Sequence, residues 1–276
     1  MPNVLKKDKQ IAVIAALAEG MAIRQIERMT DIHRDTIMRL GVRVGQGCAR
    51  IMDEKMRNLD CSEIQIDEIW GFIQKKKRNI KPTDDPRQVG DAWTFCAVDS
   101  DSKLVPCFKV GKRDSMTANA FVNDLAARLK NRVQLSSDQL AAYVEAVEQS
   151  FGADVDYGQI VKSYEKDESR TPERRYSPTR LVNVSKNVIT GNPNQDLIST
   201  SYVERLNLTT RHHMRRLTRL TIAFSKKLEN FEAAVALHFA YYNFVKVHKS
   251  IRCTPAQAAN VERSIWTVGD IVEMTA

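Results

Sequence analysis

Over the first sixty residues apolar side chains recur at three- and four-residue spacing without strand-like alternation, which predicts helices. Ile11, Ile14, Ala15, Leu17 and Ala18 make one face of a first helix that Gly20 can end, and Ile23, Ile26 and Met29 mark a short second one. After Thr30-Asp31-Ile32 a third helix begins near His33, with Ile37, Leu40 and Val44 inward and Arg34, Thr36, Arg39 and Arg43 outward. Gly41, Gly45 and Gly47 lower helix propensity and predict an early end to it. Two short helices, the second presenting Arg and Thr near its start, suit a helix-turn-helix whose second helix lies in the DNA major groove. A plain helical hairpin with a solvated basic face fits the same pattern.

From Glu63 the pattern changes. IQIDEIWGFI (64–73), WTFCAVDS (93–100) and LVPCFKVG (104–111) are rich in β-branched and aromatic residues and predict three strands of an antiparallel meander. The charged segment 75–91 between the first two reads as a loop or hairpin tip. A helix carrying Ala120, Phe121, Leu125 and Leu129 follows, then a fourth strand at 132–138, a helix at 140–151 and a fifth strand at 155–164. A strand, crossover helix and strand in succession imply parallel pairing, so the order is β-β-β-α-β-α-β and then a helix: a mixed five-stranded sheet flanked by helices, in the α/β class. Residues 165–201 are the least regular, with Pro172, Pro178 and Pro193, although part of LVNVSKNVIT (181–190) can be strand. Long helices are expected from about Tyr202 to His248, and Thr254-Pro255 starts a short terminal one. The domains expected are a helical unit at 1–60, the α/β unit at 61–250 and a helical tail at 251–276.

Charge narrows the class of partner. Forty-two Lys and Arg against thirty-four Asp and Glu give +8, which favours a polyanion such as nucleic acid. Cys48, Cys61, Cys96, Cys107 and Cys253 are odd in number and include no C-x-x-C pair, so they read as reduced thiols rather than a disulfide framework or zinc ribbon. With no apolar run of spanning length and no secretory signal, a cytoplasmic, nucleoid-associated protein is expected.

Three acids carry the candidate chemistry. Asp67 lies within an otherwise apolar strand, Asp138 follows the end of another, and Glu204 opens a helix. Each alone has an ordinary use as an ion-pair partner, a cap or a first-turn acid. Together they would suffice to hold Mg²⁺ or Mn²⁺, since hard divalent ions take a few carboxylates and keep sites for water and phosphate. Asp99, after the second strand, is a rival third acid but reads better as a turn residue, and alternation turns Glu68 to the face opposite Asp67. Between Glu204 and Glu229 there is no acid but seven cations: Arg205, Arg211, Arg215, Arg216, Arg219, Lys226 and Lys227. On one continuous helix Arg211 and Arg215 fall about 20° either side of Glu204, so a single face would present an acid and then guanidinium groups for phosphates. His238 reads as a core residue and His248 as a packing or DNA-contact residue.

QIDEIWGFI, SSDQLAAY, the block YVERLNLTTRHHMRRLTRLTIAFSKK and the tail KVHKSIRCTPAQAA resemble the DDE transposases of the insertion sequence 1 type, and the resemblance covers most of the chain. Its most specific part is Y-V-E-R-x-N-L with the arginines after it. The resemblance implies an RNase H-like core with Asp67 on the first strand, Asp138 just after the fourth and Glu204 on the following helix as metal ligands, with two Mg²⁺ (or Mn²⁺) ions. It also implies hydrolysis of a phosphodiester at each element end and attack of the freed 3′-OH on target DNA. Double-stranded DNA is then the partner, with Arg34, Thr36, Arg39, Arg211, Arg215 and Arg219 as contacts and a homodimer or larger assembly on DNA. A catalytically silent DNA-binding relative and a nuclease on the same fold are the alternatives.

Overall fold

The computed structural model describes residues 5–165, 180–218 and 221–275. Pro172, Pro178 and Arg219 lie outside the described residues. Three N-terminal helices, α1 (Lys7–Ala18), α2 (Ile23–Thr30) and α3 (Arg34–Lys55), precede β1 (Glu63–Ile73), β2 (Gly90–Asp99) and β3 (Phe108–Gly111). Then come α4 (Ser115–Ala126), β4 (Val133–Ser137), α5 (Ala141–Phe151), β5 (Val155–Tyr164) and β6 (Leu181–Thr190). α6 (Ser201–His213), α7 (Leu228–Ala240), α8 (Pro255–Ala258) and α9 (Val268–Met274) complete the order.

The sheet has six strands rather than five, in the order β3-β2-β1-β4-β5-β6. β1 to β3 form the antiparallel meander, β4 pairs parallel with β1 and β5 parallel with β4, and β6 returns antiparallel on β5. β6 is half-buried at best along its whole length, so it lacks the alternating burial that marks a strand; pairing with β5 is what forms it. The third strand is shorter than expected, because the buried segment Leu104–Cys107 runs beside β2 without regular pairing.

β1 divides the core by its alternation. On one face, Phe95, opposite Glu68 in register, packs on Phe121 of α4 and edge-on to Tyr143 of α5, with centroids 5.8 Å and 6.1 Å apart. The other face carries α6 and α7: Asp67 meets Asn207, and Gly71 lies under Leu217 and Phe231.

α3 does not stop at its glycines but runs through all three to Lys55. A Cβ on Gly45 would come within 2.1 Å of the Ala233 carbonyl oxygen, and one on Gly47 within 2.4 Å of the Thr275 side chain. The glycines therefore serve close packing of α3 on α7 and on the end of α9, a gain in contact that outweighs their low propensity. Gly45→Val is expected to cost about 3 kcal/mol or more in equilibrium denaturant unfolding, since the obstruction is main chain and cannot turn aside. The N-terminal helices thus share one apolar core with the sheet and α7.

α6 ends at His213, and the helix expected through Arg219 is interrupted. Met214 is extended and buried, and a 3₁₀ turn at Arg215–Leu217 follows. The arginines themselves support this turn. Arg211 donates from Nη1 to the Leu217 carbonyl at 2.8 Å, and Arg216 donates to Ser225 Oγ and the Asn230 carbonyl at 2.7 and 2.8 Å. Burial lowers the Arg216 guanidinium to about 10.

Candidate active site

The site arises where β4 stops. β1 and β4 pair from Glu63 to Ile66 against Gln134 to Ser137, after which β1 continues alone on that side while its other edge stays paired to β2. The next two residues of β1 are Asp67 and Glu68, and the next residue after β4 is Asp138. Three carboxyls thus meet at one gap, with ligand oxygens all within 4.8 Å of one another. Alternation puts Glu68 on the opposite face, yet with no neighbouring strand to separate the two faces its carboxylate reaches the same gap as Asp67. Glu68, which strand alternation sets apart, therefore stands beside Asp67 and Asp138.

Each acid is held differently. Asp67 Oδ2 accepts from Asn207 Nδ2 at 2.6 Å, and Asn207 Oδ1 accepts the Cys96 thiol at 3.4 Å, which fixes the amide the right way round. Burial, then the charge of Glu68, with further contributions from Asp138 and Glu204, pushes the Asp67 carboxyl up to about 7. Asp138 Oδ1 accepts from the Leu140 amide at 3.0 Å at the entry to α5. Glu68 is bound at both oxygens, by Arg113 Nε at 2.6 Å and Tyr143 Oη at 2.9 Å. Burial and Asp138 raise the Glu68 carboxyl while Arg113 and Tyr143 oppose the rise.

Glu204 stands outside the group of three. Its Oε1 accepts from Lys162 Nζ on β5 and from Thr200 Oγ1, and its side chain is half exposed. It is close enough for its charge to act on Asp67. What places its helix is Gln65, a fully buried residue two positions before Asp67 on the same face: Oε1 accepts from the Tyr202 and Val203 amides at 2.8 and 3.2 Å. Gln65 and Asn207, which hold the candidate site together, were not singled out by the sequence pattern. The signal for Gln65 was present, because in EIQID only the face carrying Gln65 and Asp67 is polar.

The remaining predicted residues are dispersed. Arg34 and Arg39 are exposed and Thr36 is half-buried on the first turns of α3, where the Arg34 amide donates to Glu27 Oε1 at 2.9 Å. Arg215 is exposed on the 3₁₀ turn rather than on the Glu204 helix, so the acid-then-arginine face does not extend past Arg211. Asp99 accepts from the Ser102 amide at 2.8 Å and from its hydroxyl, as a turn residue does. His238 is buried against Thr210, and burial lowers it to about 3, so it is neutral. His248 packs edge-on to Tyr242 with centroids 4.4 Å apart.

No protein-family model matches the sequence, and no curated protein matches it. Among solved structures the chain is similar to a piggyBac transposase in a synaptic complex with hairpin DNA. The TM-score is 0.42 and the identity 9%, over 98% of this chain and 70% of that one, a likeness too slight to bear on function. No helix among the described residues is long and apolar enough to cross a membrane.

Proposed function

We propose that this chain is a DNA transposase of the DDE type, resembling those of insertion sequence 1, that binds the ends of its mobile element and carries out metal-dependent phosphodiester hydrolysis and strand transfer. The observation that carries the reading is the meeting of Asp67 and Asp138 at the gap between parallel strands β1 and β4, with Glu204 on the helix that Gln65 docks beside them. The strand order β3-β2-β1-β4-β5 with crossover helices α4 and α5 is compatible with an RNase H-like core, to which β6 would be an addition.

The donor set suits a hard divalent ion. All the candidate ligands are carboxylate oxygens, and the Asp67 carboxyl, pushed up by burial and then by neighbouring negative charge, is the kind of group a cation relieves. Asp67 and Asp138 would hold Mg²⁺ or Mn²⁺, and Glu204, on release from Lys162, would complete a site for two. Bound there, the ions would activate the attacking oxygen and stabilise the leaving one. Asn207 orients Asp67, Asp138 is turned inward by its bond to the Leu140 amide, and Arg113 with Tyr143 offsets the charge of Glu68. Arg34, Thr36 and Arg39 are read as contacts to terminal-repeat DNA and Arg211, Arg215 and Arg219 as further DNA contacts, and two element ends call for at least a homodimer on DNA.

Short inverted repeats bounded by a duplicated target in the DNA flanking the gene would supply the substrate for a test. The chain is expected to nick and join that DNA with Mg²⁺ or Mn²⁺ and not with chelator. Strand transfer that survives both Asp138→Asn and Glu204→Gln would refute the site, and cleavage without joining would make the chain a nuclease.

A further inference from the structure

Beyond the acids, the Glu68 face of β1 and β2 carries a row of alternating rings and cations. Arg113, which binds Glu68, lies over the Trp93 ring at 5.1 Å from its centroid. Trp93 stands directly opposite Trp70 in the antiparallel register, so both side chains emerge on this face. Lys76 then lies over Trp70 at 5.5 Å and over Phe72 at 5.7 Å. Both tryptophans are only partly buried, and Trp70, Lys76, Lys77, Arg78 and Asp91 line an open concavity of about 620 Å³.

The loop bearing these cations is built rather than loose. Asp84 accepts from Lys75 Nζ at 2.8 Å and from the Lys81 amide at 2.6 Å, and Asp91 accepts from the Lys77 amide at 2.9 Å. Lys75 is therefore spent on the loop, whereas Lys76, Lys77 and Arg78 form no ion pair among the described residues. Three cations without ion-pair partners among the described residues, beside partly exposed indoles, suit a chain of phosphates carrying unstacked bases. A duplex would offer its backbone but hide its base faces, so the rings favour a single strand.

We propose that Trp70, Trp93, Lys76, Lys77 and Arg78 form a platform for an unpaired DNA strand leading to or from the acids. Trp70 is two residues beyond Glu68 on the same face of β1, ~7 Å at strand rise, or roughly the rise of two stacked bases. The proposal rests on the reading of the acids as a DNA-cleaving site for the direction of the strand. It is tested in chelator, where no cleavage occurs, so the two readings fail separately.

The experiment is fluorescence-anisotropy binding of the full chain to a short labelled oligothymidylate and to a blunt duplex. Trp70→Ala is expected to weaken oligothymidylate binding about tenfold and duplex binding less than twofold, since stacking acts on exposed bases. Trp70→Phe, which keeps a ring, should recover most of the loss and so excludes misfolding as its source. Lys77→Ala with Arg78→Ala, both at exposed positions, should lower the salt slope of single-strand binding by about 1.4, at ~0.7 per phosphate contact. Equal weakening toward both DNAs, no weakening toward either, or tighter binding of an oligouridylate than of the oligothymidylate would each overturn the proposal.

Discussion

Asp67→Asn is expected to abolish cleavage, by roughly a thousandfold or more, while making the metal-free protein more stable. Burial and neighbouring charge raise the Asp67 carboxyl from 3.8 to about 7. The folded chain therefore keeps a proton there that the unfolded chain loses near pH 4. Stability contributed by this group is complete below that pH, falls as pH rises toward 7, and is absent above it. At pH 8 the ionised carboxylate costs on the order of 3 kcal/mol, at about 1.4 per pH unit with allowance for its partial access to solvent. An asparagine still accepts the Asn207 amide but carries no charge. The variant should thus melt about 6–12 °C higher at pH 8 and within about 2 °C of the parent at pH 4, at roughly 2–4 °C per kcal/mol for a chain of this size. Saturating Mg²⁺ or Mn²⁺ should raise the melting point of the parent and not of the variant, because only the parent has the ligand. Scanning calorimetry at the two pH values, with and without metal, checks the stability effects, and a cleavage assay with metal checks the loss of activity. An asparagine variant that is less stable at pH 8 would contradict the charge balance at the gap.

The second large effect separates two candidate third acids. Proximity favours Glu68, but both its oxygens are already bound, by Arg113 and Tyr143. Glu204 is farther away yet half exposed, and its main competitor is one lysine on β5. Glu204→Gln is accordingly expected to slow strand transfer at least about a hundredfold, and Glu68→Gln less than about tenfold, when each is assayed with metal. Lys162→Met should leave Glu204 freer and lower the metal concentration needed for half-maximal rate. The reverse ranking of the two glutamines would transfer the third ligand to Glu68 and leave Glu204 a helix-positioning residue.

Much of this architecture was legible because the signals were periodic. Ile64, Ile66 and Ile69 with Val133 and Leu135 mark buried strands by composition, and the crossover helices between them dictate parallel pairing. That placed Asp67 on β1 and Asp138 after β4. Other features depended on partners distant in sequence. β6 is exposed on both faces and owes its form to β5. The end of α6 depends on side chains of Arg211 and Arg216 reaching main-chain carbonyls beyond it, and at the level of helix periodicity those arginines look the same as solvated ones. Glu68 joined the acids because β4 ends one residue before Asp138, a matter of strand length rather than strand alternation. The glycines of α3 point to a break by propensity and to a close approach only once α7 is in place.

That close approach also sets a timetable for synthesis. α3 finishes at residue 55, but α7, against which Gly45 packs, begins at residue 228, and Lys7 on α1 pairs with Glu273 on α9. At ~5–20 residues per second a ribosome would need roughly 10–35 s to deliver that partner. Until then the face of α3 that packs on α7 lacks its partner. The helix that carries Arg34 and Arg39 therefore settles late, after the acids on β1 and β4 have been made. A ribosome-bound fragment ending before residue 228 should be sensitive to protease within residues 7–55, and one extending past 275 should be resistant there.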